Sequence, residues 1–198
     1  MTYDDRPGGS ETALLVIDVQ DSFKAEARWQ RRSNPAFEAN VSRLIETFRR
    51  AGRPVFFFLH SDGDEHFETT SPHYRLMDFL SPREGEPVLH KTTRNCFTST
   101  PLLPMLLQRG VRRIVITGIQ TEQCCETTAR IGADLGFEVD FVTEATLTFP
   151  IRKTLDITSE ELGVEAVVER TEYALRRRFA RIATVDDVAA ELRIPQRT

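Results

Sequence analysis

The chain of 198 residues has 40% hydrophobic and 28% charged residues and a formal net charge of −4. This length and composition predict a single domain over residues 1–198 and argue against a disordered protein. The small negative charge gives no electrostatic reason to expect a nucleic acid partner. The first ten residues, with the run Pro7-Gly8-Gly9, are expected to form a loose N-terminal arm.

The sequence carries no signal for a membrane or for an oxidising compartment. No apolar run approaches the roughly 18 residues that a spanning helix needs, and the N-terminus lacks the basic and then apolar pattern of a signal peptide. Cys96, Cys124 and Cys125 are an odd number of cysteines without CxxC spacing, which indicates neither a disulfide framework nor a zinc ribbon. We therefore expect a soluble cytoplasmic protein with reduced thiols and no membrane partner.

Short apolar runs alternate with helical patterns along the chain, which predicts repeated βαβ units. The runs are too continuous for half-exposed strands and are typical of a parallel sheet covered by helices on both faces. Strands are predicted over residues 13–17, 54–59, 87–89, 114–116, 139–142 and 179–183. Helices are predicted over 35–51, 102–110, 122–136, 160–178 and 184–192, the last with Thr184 as its N-cap.

A cysteine lies where the fourth apolar run leads into the next predicted helix. Thr121 is a plausible N-cap, which makes Cys124 the N3 residue, close to unpaired backbone N–H groups and the positive end of the helix dipole. Such a position favours a thiolate and predicts a pKa below the free value of about 8.5. The segment by itself favours a small buried apolar residue, which is the commoner role of a free cysteine.

Polar residues also follow two other predicted strands. Asp18 comes directly after the first strand and Lys91 just after the third. In a doubly wound sheet the ligand site lies beyond the carboxyl ends of the strands, so Asp18, Lys91 and Cys124 should reach the same rim. Asp18 can then serve as general base and return the proton to a leaving group, while Lys91 stabilises a thiolate. Taken singly, each residue has an ordinary explanation as a turn former, a solvated strand end or a core residue.

These segments together resemble the isochorismatase-like cysteine hydrolase superfamily, which includes nicotinamidases and isochorismatases. The resemblance implies a three-layer α/β/α, Rossmann-like fold with a six-stranded, mainly parallel sheet. It also implies an Asp18–Lys91–Cys124 triad, with a thioester on Cys124 in members that cleave amides. The segments that carry it are 15–23, 90–97, 117–124, 128–130, 136–139 and 144–146.

The resemblance has two further implications. A cis peptide bond between Ile119 and Gln120 is expected to help aim N–H groups at an oxyanion, with the oxyanion hole at Ile119, Gln120 and Cys124. A homodimer or homotetramer is also expected, in which a neighbouring subunit covers the site.

One segment departs from the nicotinamidase pattern. Nicotinamidases carry an Asp-x-His element and a further histidine that bind a metal, and residues 59–67 do not reproduce that spacing. Asp62, His66 and His73 could gather around a cation, but solvated loop residues are the better interpretation, because only clustered spacing makes a strong metal signal. We expect no metal and a substrate other than nicotinamide. Neither GxGxxG nor GxxxxGK[ST] occurs, and no cofactor is expected.

Several residues near the same rim are candidates for the substrate pocket. Phe23, Trp29 and Phe97 could form apolar walls, and Arg94 could bind a substrate carboxylate bidentately. Core packing of the aromatic rings and solvent exposure of the arginine are equally open. Cys125 is expected to face the core and has no assigned role, because neighbouring residues on a helix point about 100° apart.

The leading hypothesis is a cysteine hydrolase that cleaves the C–N bond of a small amide through a thioester on Cys124. Two alternatives remain. An isochorismatase-type enzyme would cleave a vinyl ether, which does not need a thiol, and a non-catalytic binding protein would retain the site as a relic. The presence of Cys124 favours the amide substrate.

Overall fold

The computed structural model describes residues 12–154 and 160–193, and the predicted N-terminal arm at 1–10 lies outside them. Six strands form one sheet in which every pairing is parallel, as predicted. The strands are β1 (Thr12–Ile17), β2 (Val55–His60), β3 (Val88–Lys91), β4 (Arg113–Ile119), β5 (Glu138–Leu147) and β8 (Arg181–Ile182), in the spatial order β3-β2-β1-β4-β5-β8. A separate antiparallel pair consists of β6 (Ile151–Arg152) and β7 (Glu161–Leu162).

Helices cover both faces of the sheet, which gives the predicted three layers. The described α-helices are α1 (Ser22–Ala25), α2 (Phe37–Arg50), α3 (Leu102–Gln108), α4 (Glu126–Asp134), α5 (Val164–Leu175) and α6 (Val185–Arg193). Alternate residues of β1 point to opposite faces, so Leu14 and Val16 pack in the core with α2 and α6, while Leu15 and Ile17 pack in the core with α3 and α4. Within the described residues no helix has the length and hydropathy needed to cross a bilayer.

Two predicted helices differ from the observed ones. The helix predicted over 160–178 is wrong at its start. The chain first forms β7, and α5 begins only after Gly163, whose backbone is extended. The helix predicted over 122–136 is α-helical only from Glu126, since Thr121–Cys125 forms a π-helical turn. Thr184 is the predicted cap of α6, and its hydroxyl accepts a 3.0 Å hydrogen bond from the Asp187 N–H.

A glycine lets β1 and β4 approach closely at their carboxyl ends. Gly118 has a φ of 134°, and a Cβ atom there would lie 2.0 Å from the Ile17 carbonyl oxygen. Ile17 and Gly118 are paired across the two strands. Asp18 directly follows Ile17, and Cys124 lies in the turn after β4, so both segments continue from this pair to the rim. Only glycine therefore allows the pairing that brings these two segments together.

Candidate active site

The structure brings Asp18 and Cys124 together around Lys91. Lys91 Nζ lies 2.8 Å from Asp18 Oδ2 and 3.4 Å from Cys124 Sγ. The Asp18 carboxylate, bound to the same ammonium, is close enough for its charge to raise the pKa of the Cys124 thiol. Asp18 and Lys91 are fully buried, and 5% of Cys124 is exposed. The shared rim predicted from three separate strands is therefore a compact cluster of a carboxylate, an ammonium and a thiol.

Asp18 reaches this position because β1 ends in a sharp change of backbone direction. Its φ is 53°, in the left-handed region that residues other than glycine seldom adopt, and its N–H donates to the Phe58 carbonyl at 3.1 Å. In the described part of the chain, neither Asp18 carboxylate oxygen has a hydrogen-bond partner apart from the Lys91 ammonium, which pairs with Oδ2. The Asp18 carboxylate thus retains acceptor capacity next to the sulfur.

Lys91 is held by acceptors on several sides. Besides Asp18, its Nζ lies 3.1 Å from the Thr93 carbonyl, 3.3 Å from the Arg94 carbonyl and 3.2 Å from His60 Nδ1. Burial is the largest effect and lowers the pKa of Lys91, but the neighbouring acidic groups, Asp18 foremost, together outweigh burial and hold the pKa above its ordinary value. Lys91 therefore carries a fixed positive charge beside the sulfur.

The predicted activation of Cys124 by a helix N-terminus is wrong. Burial, followed by the charge of Asp18, raises the pKa of Cys124 well above its ordinary value, although Lys91 acts in the opposite direction. Thr121 is not the N-cap either, because Gln120 precedes the π turn and the Thr121 hydroxyl donates to Thr146 Oγ1 at 2.8 Å. The resting site is a neutral thiol beside a carboxylate and an ammonium.

The turn that precedes the cysteine has the expected backbone form. The Ile119–Gln120 peptide bond is cis. The Gln123 and Cys125 N–H groups both donate to the Gln120 carbonyl at 3.2 Å, so neither points freely into the site. Ile119, Gln120 and Cys124 remain the predicted contributors to an oxyanion hole.

Cys124 opens onto a cavity of about 250 Å³. Phe23 and Phe67 form an aromatic part of its wall, with their rings packed edge to face at 4.9 Å. Arg94 also lines the cavity, and its guanidinium lies 3.3 Å from Asp62 Oδ2. Two of the four predicted pocket residues, Phe23 and Arg94, thus lie in the cavity wall.

The other two predicted pocket residues lie elsewhere. Trp29 lines a separate cavity of about 210 Å³, where the Arg32 guanidinium stacks 4.5 Å from its ring centroid. Phe97 packs in the core against the Phe137 ring, with centroids 5.9 Å apart. Their prediction as walls of the Cys124 cavity is wrong, because apolar side chains near a rim can turn inward and gain burial in the core. Cys125 is fully buried in the core, as expected.

Sequence reasoning missed His60 as part of this cluster. It ends β2, is 3% exposed, lines the cavity and contacts Lys91. Gln20 fixes its backbone, because Gln20 Oε1 accepts the His60 N–H at 2.7 Å and Gln20 Nε2 donates to the His60 carbonyl at 3.1 Å. A polar residue at the end of an apolar run was the available signal, the same one that identified Asp18.

Asp62, His66 and His73 are the three residues that could have gathered around a cation. The His66 and His73 rings pack edge to face at 5.6 Å, and Asp62 instead contacts His60 and Arg94. Among the described residues, no group of three or more histidine, cysteine or acidic side chains has an arrangement that could hold a metal ion.

Comparison with known proteins identifies the family. The sequence profile of the Isochorismatase domain matches residues 12–188. The chain is 33% identical to Nicotinamidase 3 of Arabidopsis thaliana over 158 residues, covering 72% of this chain and 76% of the relative. It is 26% identical to the ureidoacrylate amidohydrolase RutB of Klebsiella pneumoniae over 159 residues, covering 62% of this chain and 67% of the relative.

A solved structure agrees with this assignment. The crystal structure of an isochorismatase-family protein from Chromobacterium violaceum matches with a TM-score of 0.84 and 25% identity, covering 97% of this chain and 98% of the other. The fold of the described residues is therefore similar to that of a solved isochorismatase-family structure along nearly the whole chain. The chain belongs to the isochorismatase family of hydrolases.

Proposed function

We propose that the protein hydrolyses the C–N bond of a small amide through a thioester on Cys124. The observation that carries this proposal is the buried cluster at the edge of a cavity in which the charged Lys91 contacts both the Asp18 carboxylate and the Cys124 sulfur. A thiol, a base and a fixed cation within hydrogen-bonding distance are what covalent catalysis by cysteine requires.

The first step would couple proton transfer to attack. The thiol is neutral at rest, so Asp18 accepts the Cys124 proton as the sulfur forms a bond to the amide carbon. Negative charge then moves from the carboxylate towards the carbonyl oxygen. Lys91 stays within 3.4 Å of the sulfur and 2.8 Å of Asp18, and its charge offsets the negative charge throughout this transfer.

Collapse of the tetrahedral intermediate would release the amine. Backbone N–H groups at Gln120 and Cys124 are proposed to donate to the oxyanion. Asp18 then returns its proton to the leaving nitrogen as the C–N bond breaks, which leaves a thioester on Cys124. Asp18, again a carboxylate, takes a proton from a water that attacks the thioester. When the thioester C–S bond breaks, Asp18 gives that proton to the released thiolate.

The cavity and the relatives support an amide of small size. A volume of about 250 Å³ lies just below the range of small-molecule sites, roughly 300 to 1,000 Å³, and therefore favours a small substrate. Nicotinamidase and ureidoacrylate amidohydrolase are both named for amide hydrolysis, and they act on different substrates.

The test is a panel of small amides with isochorismate alongside, assayed for ammonia and for organic products. Wild type should release ammonia from at least one amide, and Cys124→Ala should abolish that release. Cys125→Ala is the matched control, because it removes the neighbouring buried thiol and should keep turnover. Mass spectrometry of the quenched reaction should detect an acyl adduct on the peptide that contains Cys124.

Each alternative gives a distinct result. Product formation from isochorismate without ammonia, at a rate that survives Cys124→Ala, would identify vinyl-ether hydrolysis instead. Binding of an amide without turnover and without an adduct would indicate a non-catalytic binding protein. Equal ammonia release by wild type and Cys124→Ala would overturn the proposed role of the thiol.

A further inference from the structure

The strand that carries Lys91, β3, is not adjacent to β1, which leads to Asp18. β2 lies between β1 and β3, so the strand that carries Lys91 is two strand spacings, roughly 9–10 Å, from the strand that leads to Asp18. The Lys91 side chain must therefore pass the carboxyl end of β2 to reach the Asp18 carboxylate. His60 is the β2 residue in register with Lys91, and its Nδ1 lies 3.2 Å from the ammonium.

We propose that His60 is a positioning residue, whose neutral imidazole accepts a hydrogen bond from Lys91 and holds the ammonium between Asp18 and Cys124. This inference rests on the proposed function of the triad. Gln20 supports it from the other side, because its amide clamps the His60 backbone to the segment that follows Asp18. The imidazole is thereby fixed at the point where the long lysine side chain crosses β2.

The contacts of the ring select one tautomer. Lys91 is an ammonium and only donates, so Nδ1 must carry the lone pair and Nε2 the proton. Nε2 lies 3.2 Å from Asp62 Oδ2, an acceptor suited to that proton. The Arg94 guanidinium also touches Nε2, but it is half-exposed and has Asp62 as an alternative partner at 3.3 Å. The assignment with a protonated Nε2 satisfies both the buried lysine and Asp62.

Burial and the neighbouring cations keep the His60 ring neutral, against the opposite effect of two carboxylates. Lys91 faces it from β3, Arg94 from the following loop, Asp18 from the end of β1 and Asp62 from the loop after β2, while the Phe67 ring packs at 6.2 Å. Burial, and then the positive charge of Lys91, lower the pKa of His60 below its ordinary value of 6.5. Near neutral pH the imidazole is therefore available as an acceptor.

Two substitutions of His60 separate this role from simple packing. The amide oxygen of Asn can take the place of Nδ1, whereas the longer Gln places its amide near Nε2 and offers Lys91 no acceptor. The readout is the rate at which iodoacetamide alkylates Cys124 near neutral pH, measured on the Cys124 peptide by mass spectrometry. This alkylation assay needs no substrate, so it tests the role of His60 even if the protein hydrolyses no amide.

We expect His60→Gln to alkylate about tenfold more slowly than His60→Asn, the loss of roughly one hydrogen bond to a charged group. On any amide that wild type hydrolyses, kcat should fall in the same order while KM changes little. Equal alkylation rates in the two folded variants, or a faster Gln variant, would overturn the proposal.

A second measurement uses wild type alone and does not depend on a variant that folds. Imidazole nitrogen chemical shifts near neutral pH should show His60 neutral and protonated on Nε2. A His60 that is protonated on Nδ1, or doubly protonated at that pH, would contradict the role as an acceptor for Lys91.

Discussion

Two buried aspartates lie at opposite ends of the sheet and differ in their partners. Asp140, near the start of β5, receives hydrogen bonds from Arg181 on both oxygens, at 2.7 and 3.0 Å, and a further contact from Arg113. Both arginines also pair at 2.6 Å with Glu191 of α6. Asp18, just beyond the carboxyl end of β1, pairs with the single ammonium of Lys91.

The difference separates a carboxylate that maintains structure from one that is available for proton transfer. The guanidinium groups occupy both Asp140 oxygens and fix them in bidentate geometry, which leaves no site for a substrate proton. Asp18 lacks that saturation and lies against a neutral thiol whose proton it can take. Burial alone does not distinguish the two residues, since both are almost fully buried.

The largest expected effect is on turnover. Asp18→Asn removes the base without changing the shape of the side chain, and should lower kcat by a factor on the order of 10²–10⁴. Asp140→Asn is the matched change at the other end of the sheet and should leave kcat near wild type. The measurement is ammonia release from the best amide at saturating concentration, on variants whose circular dichroism matches wild type. Comparable losses in both variants would remove the distinction.

The free energy of unfolding should depend on Asp140, which turnover does not need. Asp140→Asn leaves two partly buried arginines without a full anionic partner, and should lower the free energy of unfolding by about 1.5–3 kcal/mol. Denaturant titration followed by circular dichroism measures this change. An unchanged midpoint would show that Glu191 alone satisfies the arginines.

The role of Asp18 could be predicted from the sequence, whereas that of Asp140 could not. The alternation of apolar runs and helices predicted the parallel sheet, and the carboxyl-end rule then placed Asp18, Lys91 and Cys124 together, because strand order and ligand side are coupled in such sheets. Asp140 has no comparable local signal. Its partners come from β4, β8 and α6, which are distant along the chain.

The state of Cys124 could not be predicted from its local sequence. The position at a helix start suggested a lowered pKa, since a helix dipole is a local property. Burial and the approach of Asp18 depend on tertiary packing, and they act in the opposite direction. For the same reason Thr121 has a typical N-cap identity, yet its hydroxyl bonds to Thr146 on β5.

Alkylation of Cys124 tests this electrostatic balance with two substitutions of opposite sign. The Asp18 charge raises the pKa of Cys124 and the Lys91 charge lowers it. Near neutral pH, Asp18→Asn should therefore alkylate faster than wild type and Lys91→Met slower, each by about tenfold if one charge-assisted contact is lost. Asp18→Asn would then combine a more reactive thiol with the loss of turnover. Slower alkylation of Asp18→Asn would mean that the charge of Asp18 does not raise the pKa of Cys124.

The smallest expected effect concerns acid stability at the Asp140 end of the sheet. Burial acts to raise the pKa of Glu191, but its hydrogen bonds to Arg181 and Arg113 outweigh burial and hold the pKa below its ordinary value of 4.5. A carboxylate with a lowered pKa in the folded state contributes stability above its unfolded pKa, and that stability is lost as the pH falls through the folded value. Because Glu191 is more than a third exposed, the contribution should be within about 1 kcal/mol.

Glu191→Gln removes this titration while keeping the size of the side chain. The melting temperature of wild type should fall more steeply than that of the variant as the pH is lowered below 4.5, and the two curves should converge in acid, where Glu191 is protonated in both the folded and the unfolded chain. Parallel curves would mean that Asp140 binds both arginines without help from α6. Since neither residue lies near Cys124, the two proteins should alkylate that cysteine at equal rates throughout, which keeps this effect confined to the structural end of the sheet.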